Sequence, residues 1–213
     1  TLWFPFAGGY ASSPAVSFNF GQKAFTYTPP TGFRSLSTSN LPTPTIVKPS
    51  EHFDTVTYTG NSSTKSISSL NFKPDLVWIK GRSYGSSNHI LNDIVRGPNK
   101  TLFSNQSLAE YTDRGIESFD SNGFSLSGTE GGDANADTQT YVAWNWKGSN
   151  ATTTNTAGSI TSVVSANPTA GFSVINYTGT GASGAVGHGL SSTPNFIIFK
   201  QRSGGAGSGV QDW

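Results

Sequence analysis

Apolar and polar residues alternate in short runs along much of this chain, and the alternation is that of strands. Val16, Phe18 and Phe20 are separated by Ser17 and Asn19, the two-residue period of a half-buried strand, until Gly21 breaks it. A second short strand carries Phe25 and Tyr27 and ends at Pro29-Pro30 and Gly32. From Phe53 onward the runs come regularly, and strands are expected over 53–59, 76–80, 89–95, 116–119, 124–126 and 141–146. "SFDSNGFSL" reads as a tight hairpin with Asn122-Gly123 as its two turn residues, flanked by Phe119 and Phe124. Only "SLAEYTD" hints at a helical turn. Four prolines in "SNLPTPTIVKPSEH" forbid continuous ladder pairing, which makes it a linker with a domain boundary near residue 45.

The chain also repeats itself. "FDTVTYTGNSSTKSISSL" from Phe53 returns as "FSVINYTGTGASGAVGHGL" from Phe172, and the match continues through Pro74 with Pro194 to Lys80, Arg82 and Ser83 with Lys200, Arg202 and Ser203. The period far exceeds the roughly 20 to 50 residues of solenoid units, so a whole domain is duplicated. The second copy stops at Trp213, roughly where the first would reach Asp93. Half a sandwich exposes a core face and unpaired edges. The expectation is therefore a segment of a longer modular protein, divided into residues 1–40, a linker 41–52, a first β copy 53–147, a Ser/Thr/Asn/Gly-rich stretch 148–165 that is a linker or the first strand of the next module, and an incomplete copy 166–213.

Two resemblances attach to named residues. Asn19-Phe20-Gly21-Gln22, Phe25, Tyr27, Pro29-Pro30 and Gly32-Phe33 resemble the closing strand and exit of a SPRY domain, a concanavalin-like β-sandwich, over about the first 40 residues. The duplicated part resembles uncharacterised domains of bacteriophage virion proteins, particularly marine ones, through "YTGN" at Tyr58, "KPDLVWIKGRS" at Lys73, "DIVRG" at Asp93, "FDSNGFSL" at Phe119 and "YVAWNWKG" at Tyr141. The fold class expected is all-β, built of antiparallel β-sandwich modules of jelly-roll or concanavalin-like type. What the second resemblance implies is a tail-fibre or other surface component, located in the virion and extracellular.

Composition narrows the chemistry. Charged residues make up 12 % of the chain, about half the usual quarter, which leaves few groups for a solvated helical surface. A net charge of +1 without a basic cluster gives no electrostatic footprint for nucleic acid. The absence of Cys excludes disulfides, thiol catalysis and thiolate metal sites. No apolar run approaches the roughly 20 residues that span a bilayer, and the first residues lack the pattern of a signal peptide. No Met occurs anywhere, so Thr1 is expected to follow a cleavage or to open a piece of a longer chain.

Several side chains invite a functional reading. Asp133, Asn135 and Asp137 have the alternate-oxygen spacing of a calcium loop, with Glu130 available to complete it, although Thr138 and Trp144 stand where the rest of that signature needs Gly and Glu. A solvated acidic loop is the plainer reading. Val142, Trp144 and Trp146 share one face of a strand. Bulk places that face in the core and turns Tyr141, Ala143 and Asn145 outward; left accessible, the two indoles would stack on sugar rings. Lys80 and Arg82 recur as Lys200 and Arg202, two apart, either gripping an acidic glycan or a neighbouring subunit or simply lying at a solvated strand end. His89, Asp93 and Arg96 form a polar cluster without a placed nucleophile, and the carboxylates of Glu110, Asp113, Glu117 and Asp120 are too dispersed to act as a pair. No catalytic residue and no cofactor are expected.

These readings converge on a non-catalytic virion segment that contributes to host-surface glycan attachment through repeated β modules. Its expected partners are other virion proteins, further copies of itself and a glycan. The rival is a purely structural spacer or capsid decoration, in which Trp144 and Trp146 would be buried. A carbohydrate-binding part of a secreted polysaccharide-degrading enzyme is the third possibility.

Overall fold

The computed structural model describes residues 17–35, 40–128 and 131–203. The chain divides into two compact units, Thr1–Thr45 and Ile46–Trp213.

In the first unit, residues 17–35 contain no strand. The alternation around Phe18 and Phe20 is resolved locally instead. Asn19 Oδ1 accepts from the backbone N–H of Gly21 at 3.0 Å, and Gln22 Nε2 donates to the Phe18 carbonyl at 2.6 Å. The rings of Phe18 and Phe20 stack 5.8 Å apart and remain exposed, as do Phe25, Tyr27 and Phe33. Neither of the two strands expected here forms among residues 17–35, where side-chain amides bond the nearby backbone locally instead. Val16 lies outside the described residues.

The second unit is an antiparallel β-sandwich. Its main sheet has six strands in the order β1 (Phe53–Thr59), β9 (Thr140–Trp146), β3 (Leu76–Gly81), β4 (Ile90–Asp93), β5 (Lys100–Phe103) and β6 (Tyr111–Thr112). A three-stranded sheet, β2 (Lys65–Ile67), β8 (Gly123–Leu126) and β7 (Ile116–Asp120), supplies the other side of the core. Val77, Ile79, Tyr141, Ala143, Ile90 and Phe103 from the main sheet meet Ile67, Phe124, Leu126 and Ile116 from the small one. The segment that hinted at a helical turn, residues 107–113, carries the short strand β6.

The hairpin joining β7 and β8 forms with a shifted turn. Phe119 pairs with Phe124 and Asp120 with Gly123, so Ser121 and Asn122 are the turn residues and Gly123 opens β8. Gly123 is required by close approach: a Cβ there would lie 1.7 Å from the Ile67 carbonyl oxygen of β2. Asn122 then ties the turn to the following loop, its Nδ2 donating to the Ser68 carbonyl and its own carbonyl accepting from Leu70 N–H.

Residues 148–165 contain one short strand and the start of another. β10 (Thr153–Asn155), β11 (Ser162–Asn167) and β12 (Phe172–Tyr177) form a third sheet in that order. Asp75, fully buried at the start of β3, holds the crossing point. Its carboxylate accepts from the backbone N–H of Gly148 at 2.8 Å, from that of Asn150 at 3.0 Å and from the Ser165 hydroxyl of β11. Burial pushes its pKa up, while these three donors act in the opposite direction.

The repeat is reproduced only in part. β12 is the counterpart of β1, but it pairs with β11 rather than with a strand of β9's kind. Residues 195–201, the counterpart of Asp75 and β3, form no strand, and Ile197 and Phe199 are each 53 % exposed where their counterparts Val77 and Ile79 in the first copy are fully buried. Gly123→Ala is expected to lower stability by about 2 kcal/mol or more, the cost of forcing an overpacked atom against backbone, and a urea unfolding curve measures it.

Candidate functional site

Strand β9 decides which face of the main sheet is open. Along Thr140–Trp146 buried and half-buried residues alternate strictly, with Tyr141, Ala143 and Asn145 buried and Val142, Trp144 and Trp146 half-buried. This reverses the expectation that the tryptophan face is core. The reason lies across the sandwich. Tyr141 stacks on Tyr58 at 5.3 Å, and its hydroxyl is satisfied inside by donating to the Gly132 carbonyl and accepting from Ala136 N–H. Ala143, opposite Val56 and Ile79, leaves room for the second sheet.

The outer face is consequently aromatic. Register places Thr55, Trp144 and Trp78 in one row, Phe53, Trp146 and Leu76 in the next, and Thr57, Val142 and Lys80 in a third. Phe53 is 41 % exposed, Thr55 and Thr57 are exposed, and the indoles are half-buried. Trp78 meets Trp144 edge to face at 6.1 Å, and Trp146 packs against Phe53 at 5.0 Å and stacks on Phe172 of β12 at 6.1 Å. Trp78 Nε1 donates to His89 Nδ1 at 3.1 Å, which requires that nitrogen to be unprotonated. Burial, then the charge of Lys80, lowers the His89 pKa and keeps the ring neutral near pH 7. The face thus offers flat apolar rings held by one another, bordered by two threonine hydroxyls.

The basic candidates separate. Lys80 lies on the outer face but is tied down, its Nζ donating to the Ser87 carbonyl at 2.6 Å and to the Ser87 hydroxyl at 2.9 Å. Arg82 is exposed. Lys200 donates to the carbonyls of Gln106 and Leu108. Arg202 grips Glu110 with two nitrogens at 3.0 and 2.8 Å and reaches Asn176 of β12 at 2.7 Å. The repeated Lys-x-Arg pattern therefore serves different partners in its two copies.

The polar cluster also divides. Asp93 and Arg96 form a buried ion pair at 2.6 Å, and Arg96 continues to Glu110 at 3.0 Å and to the Leu91 carbonyl. His89 belongs to Trp78 instead. The sequence shows Glu110 only as one of several dispersed carboxylates, because its partners Arg96 and Arg202 are brought to it by the fold and not by local spacing. Asp133 accepts from Asn88 N–H at 2.7 Å, while Asn135 is fully buried, its oxygen accepting from Asn61 N–H and its nitrogen donating to the carbonyls of Ser63 and Ser127. The Asn135 amide pins the loop after β1 to the loop before β9. Asp137, by contrast, stands exposed on that loop. Glu130 lies outside the described residues. Among the described residues no three His, Cys, Asp or Glu side chains are grouped as a metal site, and no helix is long and apolar enough to cross a membrane.

Residues 48–212 match the family model described as a domain of unknown function, DUF7483. The chain belongs to that family. The DUF7483 match covers both halves of the internal repeat and nearly coincides with the compact unit Ile46–Trp213, in keeping with the Asp75 and Glu110 contacts that tie the halves together. No curated protein and no solved structure matches the chain.

The Glu110 cluster makes the junction acid-sensitive. Burial resists ionisation of Glu110, but hydrogen bonds and charge from Arg202 and Arg96 outweigh it and hold its pKa below the ordinary value of 4.5. A carboxylate with a depressed folded pKa contributes stability that is complete above its unfolded pKa and is lost as pH falls through the folded one. The Glu110 N–H donates to the Arg202 carbonyl, and its protection relative to the intrinsic exchange rate is expected to fall below about pH 4.5, whereas Glu110→Gln is expected to lower that protection already at pH 7 and make it nearly independent of acid.

Proposed function

We propose that this chain is a non-catalytic attachment module of a phage virion appendage, and that the outer face of its six-stranded sheet is the contact for a host-surface glycan. The observation that carries the glycan reading is the row of Thr55, Trp144 and Trp78 beside Phe53 and Trp146: half-open indoles next to exposed hydroxyls on a rigid sheet. Sugar rings present apolar C–H faces and equatorial hydroxyls, and an indole flanked by threonines answers both. Packing Trp78 against Trp144 and bonding it to His89 fixes the ring before a ligand arrives, which lowers the entropy lost on binding. The charged side chains on this side of the sheet are already partnered, Lys80 with Ser87 and Asp93, opposite Leu76, with Arg96, so the glycan class it suits is neutral. One such face binds weakly; display on several chains of an oligomer multiplies it. The placement in a virion rests on the sequence resemblance given above.

A structural reading draws on a different observation. Phe196, Ile197, Ile198 and Phe199 are consecutive and exposed, a feature suited to contact with another protein chain and not with a sugar.

Titration with neutral oligosaccharides, read by tryptophan fluorescence, separates the two. The expected result is a saturable shift with at least one neutral oligosaccharide, reduced about tenfold in affinity by Trp144→Ala or Trp78→Ala and unaffected by Arg82→Ala. Equal affinity in all variants, with unchanged unfolding midpoints, places the contact elsewhere; no binding by any neutral oligosaccharide leaves the structural reading.

A further inference from the structure

One side of the aromatic face rests on a histidine. Trp78 reaches from β3 to His89, the residue just before β4: its Nε1 donates to His89 Nδ1 at 3.1 Å, and the two rings meet edge to face at 5.9 Å. On its other side the same indole meets Trp144 edge to face at 6.1 Å. Trp78 is therefore fixed between one ring that titrates and one that does not. The His89 backbone is anchored separately, its N–H donating to Asn105 Oδ1 at 2.9 Å and its carbonyl accepting from Ser104 N–H at 3.0 Å, so the imidazole can turn about its side-chain bonds while the strand stays in place.

The bond to Trp78 needs a lone pair on Nδ1. An indole N–H only donates, and a protonated imidazole carries a hydrogen on both nitrogens, so acid sets two donors against each other across 3.1 Å. The surroundings resist that charge. Lys80 of β3 holds its ammonium near the ring, fixed there by the Ser87 carbonyl and hydroxyl. The other charged groups on the neighbouring segments have their own partners: Asp133 accepts from Asn88, Asp93 is paired with Arg96, Glu110 lies between Arg96 and Arg202, and Lys200 donates to the carbonyls of Gln106 and Leu108. Among the described residues no carboxylate bonds the His89 ring. Burial and the charge of Lys80 accordingly hold its pKa below 6.5.

We infer that His89 is a positioning residue of the aromatic face: its neutral ring holds the Trp78 indole in place, and its protonation releases it. For the glycan contact proposed above, on which this consequence rests, acid then weakens binding. A ligand that needs neutral His89 binds fully above the folded pKa and loses affinity as pH falls through it, and by reciprocity the bound ligand pushes that pKa further down.

The test follows the indole N–H resonance of Trp78, assigned by its loss in Trp78→Phe, against pH in the isotope-labelled chain without ligand. The resonance is expected to move with a midpoint below 6.5, to stay in place in His89→Asn, whose Oδ1 accepts without titrating, and to be displaced at every pH in His89→Phe, which offers no acceptor. Affinity for cellohexaose, a neutral chain of flat-faced sugar rings, is expected to fall about fivefold or more from well above that midpoint to well below it in the unaltered chain and to stay level in His89→Asn. A Trp78 resonance that ignores pH, or that moves equally in His89→Asn, overturns the inference. So does a resonance that titrates while cellohexaose affinity stays level, because the indole is then released without consequence for binding. Failure of cellohexaose to bind at any pH counts against the glycan reading instead, and the resonance alone then decides whether His89 holds Trp78.

Discussion

Everything in the second unit depends on one strand being held on both edges by strands distant in sequence. β9 pairs along its whole length with β1, from Phe53 with Trp146 to Thr59 with Thr140, and on its other edge with β3, from Leu76 with Trp146 to Gly81 with Tyr141. A slip of one residue would exchange the two faces of β9, so register is enforced by what each face must contain. Inside, the Tyr141 hydroxyl needs Gly132 and Ala136, and no other residue of the strand can reach them from the opposite face. Outside, Trp144 and Trp146 find Trp78, Phe53 and Phe172. The open aromatic face is a consequence of satisfying the closed one.

Polar ties then bind the halves of the repeat into one unit. Asp75 and the cluster of Asp93, Arg96, Glu110 and Arg202 are each distributed over segments far apart in the chain. Buried charges of this kind are poor sources of net stability, since their desolvation offsets much of their attraction. Their value here is positional. A buried carboxylate with no donor is costly, so the arrangement that gives Asp75 its three donors and Glu110 its two arginines is strongly preferred over neighbouring ones.

β1 and β9 could be read from apolar positions spread over seven residues, and β3 from the continuous apolar run over 76–79. β2, β5 and β10 could not: "KSI", "KTLF" and "TTN" are three or four residues long, too short to show a period, and they become strands because a neighbour offers a ladder. Which face of β9 is buried was illegible for a similar reason. Alternation defines two faces but not which one another sheet covers, and tryptophan bulk pointed the wrong way, since small Ala143 is what permits close sheet packing. The turn at Ser121-Asn122 turned on Gly123, whose constraint comes from the Ile67 carbonyl of a different strand. Asn135 looked like a calcium ligand by spacing because spacing is local, whereas its partners Asn61 and Ser63 lie on another loop. Among residues 17–35 the same alternation that forms strands elsewhere forms none, and Asn19 and Gln22 bond the local backbone instead.

Hydroxyl-radical footprinting of the folded protein, read residue by residue in a mass spectrometer, tests the orientation of β9 most directly. Oxidation is expected at Trp144, Trp146 and Phe53, with Tyr141 and Tyr58 protected until the protein unfolds. Oxidation of Tyr141 in the native state, with Trp144 and Trp146 protected, would place the tryptophans in the core and remove the recognition face on which the account is built.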